Sequence, residues 1–228
     1  MFGDNALLKQ DISDGSSLWV QELFYTLQGE GPRSGQPAIF IRLGGCNLAC
    51  TWCDTDFESS AWHPSLDELL HAVAALPKTQ LTVITGGEPF RQNIAPLVTA
   101  LLETGTTVQI ETNGTLWVPL PSDPRLEIIC SPKTKNLHPE LEPRITAYKY
   151  VVGADDTDAT DGLPVLNTQK KGQRLRLARP NGNAPIYVQP RDDQDPARNA
   201  EHLAACRDIA LKHQYKISLQ LHKIIGIN

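Results

Sequence analysis

The sequence predicts an α/β fold with mostly parallel strands, and two observations lead to that prediction. Short apolar runs alternate with stretches of helical periodicity along most of the chain. Glycine or polar turn motifs directly follow most of the apolar runs, as they do at the carboxyl ends of parallel strands. No apolar run approaches the ~20 residues of a membrane span. Strands that alternate with helices are typical of βαβ units.

Eight strands are expected, and most of them end at a recognisable turn. The first runs into the glycine-rich turn 28–32, and the second closes at Gly44-Gly45. The third ends at Gly86-Gly87. The predicted strands cover 19–25, 37–43, 81–85, 107–111, 126–130, 148–152, 186–189 and 217–221.

Three helices are expected from their start and stop signals. Ser65 and Glu68 form a capping box at the start of a helix over 65–75. A second helix over 94–104 ends at a glycine. Asp195 caps a long helix that reaches about 214, with Leu203 and Ile209 on its inner side. The segments 116–124 and 155–183 are rich in Pro, Gly and Asp, and we expect them to be loop insertions in one domain spanning 1–228.

The charge balance excludes some classes of protein. Lys and Arg number 21 and Asp and Glu number 26, so the formal net charge is −5. A protein that coats nucleic acid or anionic lipid needs a cationic field, so direct nucleic-acid or membrane binding is not expected. The first 14 residues lack a basic region followed by an apolar stretch, so we expect no secretory signal and a cytoplasmic location.

Three of the five cysteines are crowded into one segment, at Cys46, Cys50 and Cys53. A secreted disulfide scaffold would have more cysteines with more even spacing, so a metal is favoured. Three thiolates would leave one iron of a [4Fe–4S] cluster open to a ligand. A zinc site that borrows His63 or Asp54 as a fourth ligand is the alternative. The position after an apolar strand favours an active site over a zinc knuckle.

Two motifs resemble those of the radical S-adenosylmethionine superfamily. The Cys46-x3-Cys50-x2-Cys53 segment resembles the cluster motif, and Thr85-Gly86-Gly87-Glu88-Pro89 resembles the element that binds the methionine amino group, where Glu88 offers an acceptor. The resemblance implies a partial, open (β/α) barrel that binds a [4Fe–4S] cluster and S-adenosylmethionine. It also implies reductive cleavage of the sulfonium to a 5′-deoxyadenosyl radical, which abstracts a substrate hydrogen.

Further strings resemble one family of that superfamily, the 7-carboxy-7-deazaguanine synthases. The strings lie at 24–31 (FYTLQGEG), 37–43, 54–55, 111–114, 131–133 and 219–223. The resemblance implies that 6-carboxy-5,6,7,8-tetrahydropterin is rearranged to 7-carboxy-7-deazaguanine with loss of ammonia, on the route to 7-deazapurines such as queuosine. It also implies Mg²⁺, a homodimer and an electron donor such as flavodoxin or ferredoxin.

The resemblance assigns roles by position in this chain. The cluster ligands are Cys46, Cys50 and Cys53, and Thr55 places Mg²⁺. The substrate is held by Leu27, Gln28, Gly29, Arg42, Thr85 and Asn228. S-adenosylmethionine is bound by Trp52, Cys53, Asp54, Gly87, Ser131, Pro132, Lys133, Gln189, Pro190, Arg191 and Asp192.

Simpler interpretations of single residues remain open beside those roles. The planar fork of Arg42 suits a carboxylate, yet the residue could also be a solvated edge residue. Thr55 and Thr85 could be ordinary turn residues.

Two other functions of the whole protein also remain open. One is an activase that installs a glycyl radical, which would share the cysteine motif but would not explain TLQGEG. The other is a zinc-stabilised binding module.

Overall fold

The computed structural model describes residues 6–53 and 55–227, and an eight-stranded sheet organises them. The strands lie side by side in chain order: β1 (Val20–Leu27), β2 (Pro37–Leu43), β3 (Leu81–Gly86), β4 (Thr107–Thr112), β5 (Leu126–Cys130), β6 (Ala147–Val152), β7 (Ile186–Pro190) and β8 (Lys216–Ile217). The first strand pairs antiparallel with the second, and the later neighbours pair in parallel. Across the described residues the first and last strands do not pair, so the partial open barrel is confirmed.

Among the described residues four α-helices accompany the sheet, namely α1 (Leu66–Ala74), α2 (Ala95–Glu103), α3 (Pro196–His213) and α4 (Leu221–Ile225). The predicted capping box at α1 is confirmed, since Ser65 and Glu68 each accept a hydrogen bond from the other's backbone N–H. The predicted cap of α3 is also confirmed, because Asp195 accepts from two backbone N–H groups of the first turn. No helix in the described part of the chain combines the length and hydropathy needed to cross a membrane.

The strand expected over 217–221 is wrong. The eighth strand has two residues, after which the chain leaves the sheet and forms α4. The Leu221 N–H donates to the Gly29 carbonyl at 2.9 Å, and Ser218 Oγ accepts from the Gly31 N–H at 2.9 Å. The terminal segment therefore packs on the loop that follows β1 instead of extending the sheet.

The inner side of α3 also differs from the expectation. Leu203 is 44% exposed, whereas His202 and Cys206 are fully buried, and of the expected pair only Ile209 packs on the core. A histidine can occupy the inner position because Ala154 N–H donates to its Nδ1 at 2.9 Å and Asp193 lies 2.9 Å from its Nε2. Loops after β6 and β7 thus satisfy a polar side chain in the core.

The two segments expected to be loop insertions form loops in the structure. All residues of 116–124 and 155–183 are described, and they contribute to none of the named helices or strands. The longer insertion is fixed by Arg179, which donates to Asp161 and to three backbone carbonyls. It therefore adds an ordered loop beside β6 and β7 in place of a crossover helix.

Candidate active site

A cavity of about 530 Å³ lies on the inner face of the open barrel and reaches the loops at the carboxyl ends of the parallel strands. Residues two positions apart, such as Phe40 and Arg42 on β2, share that face because strand side chains alternate. Lys149 and Val151 on β6 share it for the same reason. The strands therefore supply the walls of the cavity and the loops supply its rim.

The cysteine loop begins directly after β2, where Gly44 and Gly45 lead into Cys46. All three cysteine sulfurs belong to residues that line the cavity. The Leu48 N–H donates to Cys46 Sγ at 3.4 Å. Burial raises the pKa of Cys46 to about 12, with Glu88 and the two neighbouring cysteines adding to the effect. The Cys46 thiolate therefore needs a bound cationic group to form, as a metal supplies.

The arrangement of the sulfurs tests which metal group the loop fits. Within residues 6–53 and 55–227, no three His, Cys, Asp or Glu side chains converge on a position for one metal ion. Each cysteine of a [4Fe–4S] site binds a different iron, so its sulfurs need not converge in that way. His63, one of the two expected fourth zinc ligands, stacks on Trp19 at 5.7 Å between ring centroids and does not line the cavity. Asp54, the other, lies outside the described residues. The donor set fits the cluster better than zinc.

The Gly86-Gly87 turn lets β3 approach the cysteine loop. A Cβ on Gly87 would lie 2.1 Å from the Gly45 carbonyl oxygen and 3.0 Å from Cys46 Cβ. Gly86 has a φ of 131°, and a Cβ there would strike the backbone of Leu43. Both glycines are therefore required by close backbone packing beneath the cavity.

Glu88 of the same turn has a different role from the one expected. It is fully buried and does not line the cavity. Its carboxylate accepts from Thr112 Oγ1 at 2.7 Å, from Asn113 N–H at 2.7 Å and from Phe90 N–H at 3.0 Å. Burial raises the pKa of Glu88 to about 7, although the hydrogen bonds from these three donors act to lower it. Glu88 ties the turn after β3 to the turn after β4, and its oxygens are already used by this chain.

Arg42 stands in the wall of the cavity with its side chain 23% exposed. Its Nε donates to Glu22 at 2.9 Å, and its guanidinium carbon lies 5.7 Å from the ring centroid of Phe24. No other hydrogen bond of this guanidinium to a described residue is present, so the two terminal nitrogens of this cavity-lining arginine keep donors to offer. This arrangement suits a carboxylate.

Glu111 links several of the expected substrate residues. Thr85 Oγ1 donates to one of its oxygens at 3.1 Å, and Gln28 Nε2 donates to the other at 3.1 Å. These contacts explain the positions of Thr85 and Gln28, which sequence reasoning placed at the site without a contact. They also place the Glu111 carboxylate itself in the lining.

The sequence analysis missed an ion pair in the cavity wall. Lys149 donates to Glu30, and its Nζ also lies 3.9 Å from Glu111. Burial alone would raise the pKa of Glu30, but the charge and hydrogen bond of Lys149 outweigh it and lower the pKa. The available signal was a lysine inside a strand that is otherwise apolar, at 148–152.

The expected S-adenosylmethionine residues mostly meet at the rim. Lys133 Nζ lies 4.7 Å from the ring centroid of Trp52, a cation–π distance. Arg191 is held by Asp156 at 2.9 Å and by Asp193 at 2.8 Å. Pro132 is buried but does not line the cavity.

The terminal segment closes one side of the cavity. Gln220 donates to Glu30 at 2.9 Å, and Lys223 donates to Asp192 at 2.7 Å. His222 lines the cavity, and a Cβ on Gly29 would lie 2.0 Å from its Nδ1. Sequence analysis assigned His222 no role, because its contact with Gly29 joins distant parts of the chain.

Most expected site residues therefore line one cavity. They are Leu27, Gln28, Gly29, Arg42, Cys46, Cys50, Trp52, Cys53, Thr55, Thr85, Gly87, Ser131, Lys133, Gln189, Pro190, Arg191 and Asp192. Asp54 and Asn228 lie outside the described residues.

Comparison with known proteins defines the class to which this fold and cavity correspond. Residues 40–129, which hold the three cysteines and both glycine turns, match the Radical SAM superfamily. The crystal structure of QueE from Escherichia coli superimposes with a TM-score of 0.66 at 26% identity and covers 90% of this chain and 95% of that one. The barrel is thus that of a radical S-adenosylmethionine enzyme.

Full-length relatives identify the family. A 7-carboxy-7-deazaguanine synthase of Rhodospirillum rubrum is 56% identical over 100% of both chains. One from Rickettsia prowazekii is 39% identical over 100% of this chain and 96% of its own. The chain belongs to the 7-carboxy-7-deazaguanine synthase family.

Proposed function

We propose that this protein converts 6-carboxy-5,6,7,8-tetrahydropterin to 7-carboxy-7-deazaguanine with loss of ammonia, in 7-deazapurine (queuosine) biosynthesis. The observation that carries the proposal is one cavity that combines the three-cysteine loop at one end with the Arg42 guanidinium in its wall. The family membership of the whole chain supports the same reaction.

In this proposal Cys46, Cys50 and Cys53 hold a [4Fe–4S] cluster, which, with S-adenosylmethionine bound, supplies a radical able to abstract a substrate hydrogen. The glycine turn at Gly87 keeps the loop close to β3, so that the cofactor lies against bare backbone. Trp52, stacked with Lys133, offers a flat face for the adenine at the rim.

The chain's own groups then position the pterin. Arg42 binds the substrate carboxylate through its two terminal nitrogens, with Glu22 holding the guanidinium from behind. The carboxylate of Glu111, fixed by Thr85 and Gln28, presents an acceptor to N–H groups of the ring. Opposite charges at the two sites would orient an asymmetric bicyclic substrate.

Mg²⁺, a homodimer, an electron donor and a cytoplasmic location complete the proposal. The Thr55 hydroxyl is our proposed Mg²⁺ ligand, and its place in the lining beside the cysteine loop supports this. Mg²⁺ keeps several waters and often shares substrate oxygens, so one protein ligand is sufficient for a transient site. A cluster held by cysteine thiolates requires a reducing compartment.

Anaerobic turnover tests the reaction. The enzyme reconstituted with iron and sulfide is offered 6-carboxytetrahydropterin, S-adenosylmethionine, Mg²⁺ and dithionite. We expect 7-carboxy-7-deazaguanine and one ammonia per turnover, detected by mass spectrometry and by an ammonia assay. Absence of the deazaguanine, with S-adenosylmethionine still cleaved, would favour a different radical reaction such as glycyl-radical activation.

Metal analysis distinguishes the [4Fe–4S] cluster from the zinc alternative. Iron and sulfide in a near four-to-four ratio, with a brown chromophore bleached by dithionite, exclude a zinc-stabilised binding module. A colourless protein with about one zinc per chain would contradict the proposal.

A further inference from the structure

A hairpin of exposed cations borders the outer side of the cysteine loop, and the proposed reaction gives it no role. We call residues 168–174 the cationic hairpin. A bridge between Leu166 and Arg174 closes the base of this hairpin. The N–H of Asn167 also donates to the Gln173 carbonyl at 2.8 Å. Lys170, Lys171 and Arg174 are exposed and form no ion pair with any residue in 6–53 or 55–227.

The cationic hairpin is bonded directly to the cysteine loop. The N–H of Thr51, which lies between Cys50 and Cys53, donates to the Thr168 carbonyl at 2.7 Å. Thr168 Oγ1 in turn donates to the Lys133 carbonyl at 3.0 Å. The hairpin is therefore part of the outer wall around the cluster ligands.

The local charge contrasts with that of the whole chain. From residue 162 to residue 190 the sequence contains five cations and no Asp or Glu, in a chain of net charge −5. Arg176 and Arg179 are paired with Asp161 and hold the insertion together, which leaves the three hairpin cations facing solvent. A confined positive patch on an anionic protein attracts and orients an anionic partner.

The chemistry of the site requires a reductant that approaches this side. Electron transfer falls steeply with distance, so a donor must dock close to the cysteine loop. The inner side of that loop faces the cavity, which the terminal segment partly closes through Gln220 and Lys223. The cationic hairpin is exposed and bonded to the cysteine loop, so a donor that docks on the hairpin stays close to the loop without entering the cavity.

We propose that the cationic hairpin is the docking surface for an acidic protein that donates one electron to the cluster. In the step, the donor is oxidised by one electron and the cluster is reduced by one electron, with no bond formed and no proton moved. The proposal rests on the cluster assignment above. It names a surface that the substrate reaction itself does not use.

The test measures binding as well as turnover. A flavodoxin serves as the acidic probe, and its affinity for the reconstituted enzyme is measured by interferometry at low and high salt. K170E/K171E reverses two hairpin charges. K78E/K212E makes the same charge change at exposed lysines before β3 and β8, at the opposite end of the sheet.

We expect K170E/K171E to weaken flavodoxin binding by about tenfold or more at low salt, and K78E/K212E to change it less than about twofold. The difference should shrink at high salt, where charges on the surface are screened. Flavodoxin-driven turnover should fall in parallel in the hairpin variant, while dithionite-driven turnover stays equal in all three proteins. Because dithionite needs no docking surface, failure of the proposed reaction would abolish dithionite-driven turnover even in the wild type, whereas failure of the docking proposal would leave it intact.

Several outcomes would overturn the proposal. Equal weakening by both lysine pairs would mean that only net charge matters. Unchanged binding in K170E/K171E would remove the hairpin from the interface. If dithionite-driven turnover also falls in K170E/K171E, the milder K170Q/K171Q decides, and wild-type flavodoxin affinity in that variant would overturn the proposal. Hairpin-dependent binding of a 20-nucleotide RNA with no change in flavodoxin affinity would reassign the surface to nucleic acid.

Discussion

Lys149 on β6 and Glu30 after β1 form an ion pair in the cavity wall, with their side chains 7% and 16% exposed. The two residues are 119 positions apart, so the pair joins the loop after the first strand to the sixth strand. Glu111 stands 3.9 Å from the same ammonium. One cation thus offsets two largely buried carboxylates, and the loss of Lys149 leaves both without that compensation.

Replacing Lys149 by Met should therefore destabilise the protein by about 3–5 kcal/mol, because Glu30 and Glu111 lose their cation. For a chain of this size that corresponds to a fall in Tm of about 6–20 °C. The measurement is thermal unfolding of the reconstituted enzyme. R33M, which breaks the more exposed Arg33–Glu127 pair, is the control and should cost about 1 kcal/mol or less.

The double variant K149M/E30Q checks the cause. Removing both charges should recover part of the loss, because one fewer carboxylate is left without a cation. A double variant less stable than K149M would show that the loss comes from packing and not from charge.

The same pair predicts how stability depends on acid. Lys149 lowers the pKa of Glu30 to about 2 in the folded protein, against a usual value of 4.5, although burial opposes the change. A lowered folded pKa gives stability that is complete above pH 4.5 and is lost as the pH falls toward 2. When the pH falls from 5 to 3.5, the Tm of the wild type should decrease more than the Tm of E30Q. Both keep the three cysteines, so acid release of the cluster affects them alike. Parallel Tm curves would contradict the prediction.

Cys53→Ala should abolish both cluster binding and turnover, because only three sulfurs are available to hold the iron. Iron and sulfide content and the visible spectrum measure the first, and the anaerobic assay measures the second. Cys206→Ala is the matched control: this cysteine lies on α3, is fully buried and does not line the cavity. It should cost about 1 kcal/mol of stability and leave the iron content unchanged. Full activity in Cys53→Ala would refute the ligand assignment.

Arg42→Ala should raise the KM for the pterin about 10- to 150-fold, the equivalent of about 1.5–3 kcal/mol for a charged hydrogen bond. The Kd of S-adenosylmethionine should change far less, because its expected contacts lie at the rim. Arg33→Ala provides a control at an arginine of similar exposure that does not line the cavity. Equal losses for both ligands would contradict the carboxylate-binding role and restore the interpretation of Arg42 as a solvated edge residue.

The strands and the cysteine loop could be predicted because their signals are local. The apolar run of β2, the glycines after it and the three cysteines lie within a few residues of one another, and the cap at Ser65 depends on a residue three positions away. The positions of Arg42 and Thr85 in the cavity follow from the same strands.

The features that sequence analysis did not predict depend on contacts between distant parts of the chain. Gln220 reaches Glu30 across 190 residues, and that contact, with Leu221 bonded to Gly29, turns the expected last strand into α4. His202 is buried because loops after two other strands supply its partners, which a periodicity analysis of one helix cannot detect. Glu88 looked like a ligand for the cofactor because the turn after β4, which occupies its oxygens, is 25 residues away.

Gly29→Ala should detach the terminal segment from the cavity. The new methyl would lie 2.0 Å from His222 Nδ1, so the imidazole must move, and the bond from Leu221 N–H to the Gly29 carbonyl moves with it. We expect faster proteolytic cleavage of the terminal segment and a higher KM for the pterin.

His222→Ala tests whether the clash is the cause, because it removes the ring that the methyl would strike. The double variant Gly29→Ala/His222→Ala should then be cleaved no faster than His222→Ala alone, a coupling between the two sites that a double-mutant cycle measures directly. If the effects of the two substitutions simply add, Gly29 is required for another reason, such as its own backbone conformation, and the terminal segment does not depend on the fit between Gly29 and His222.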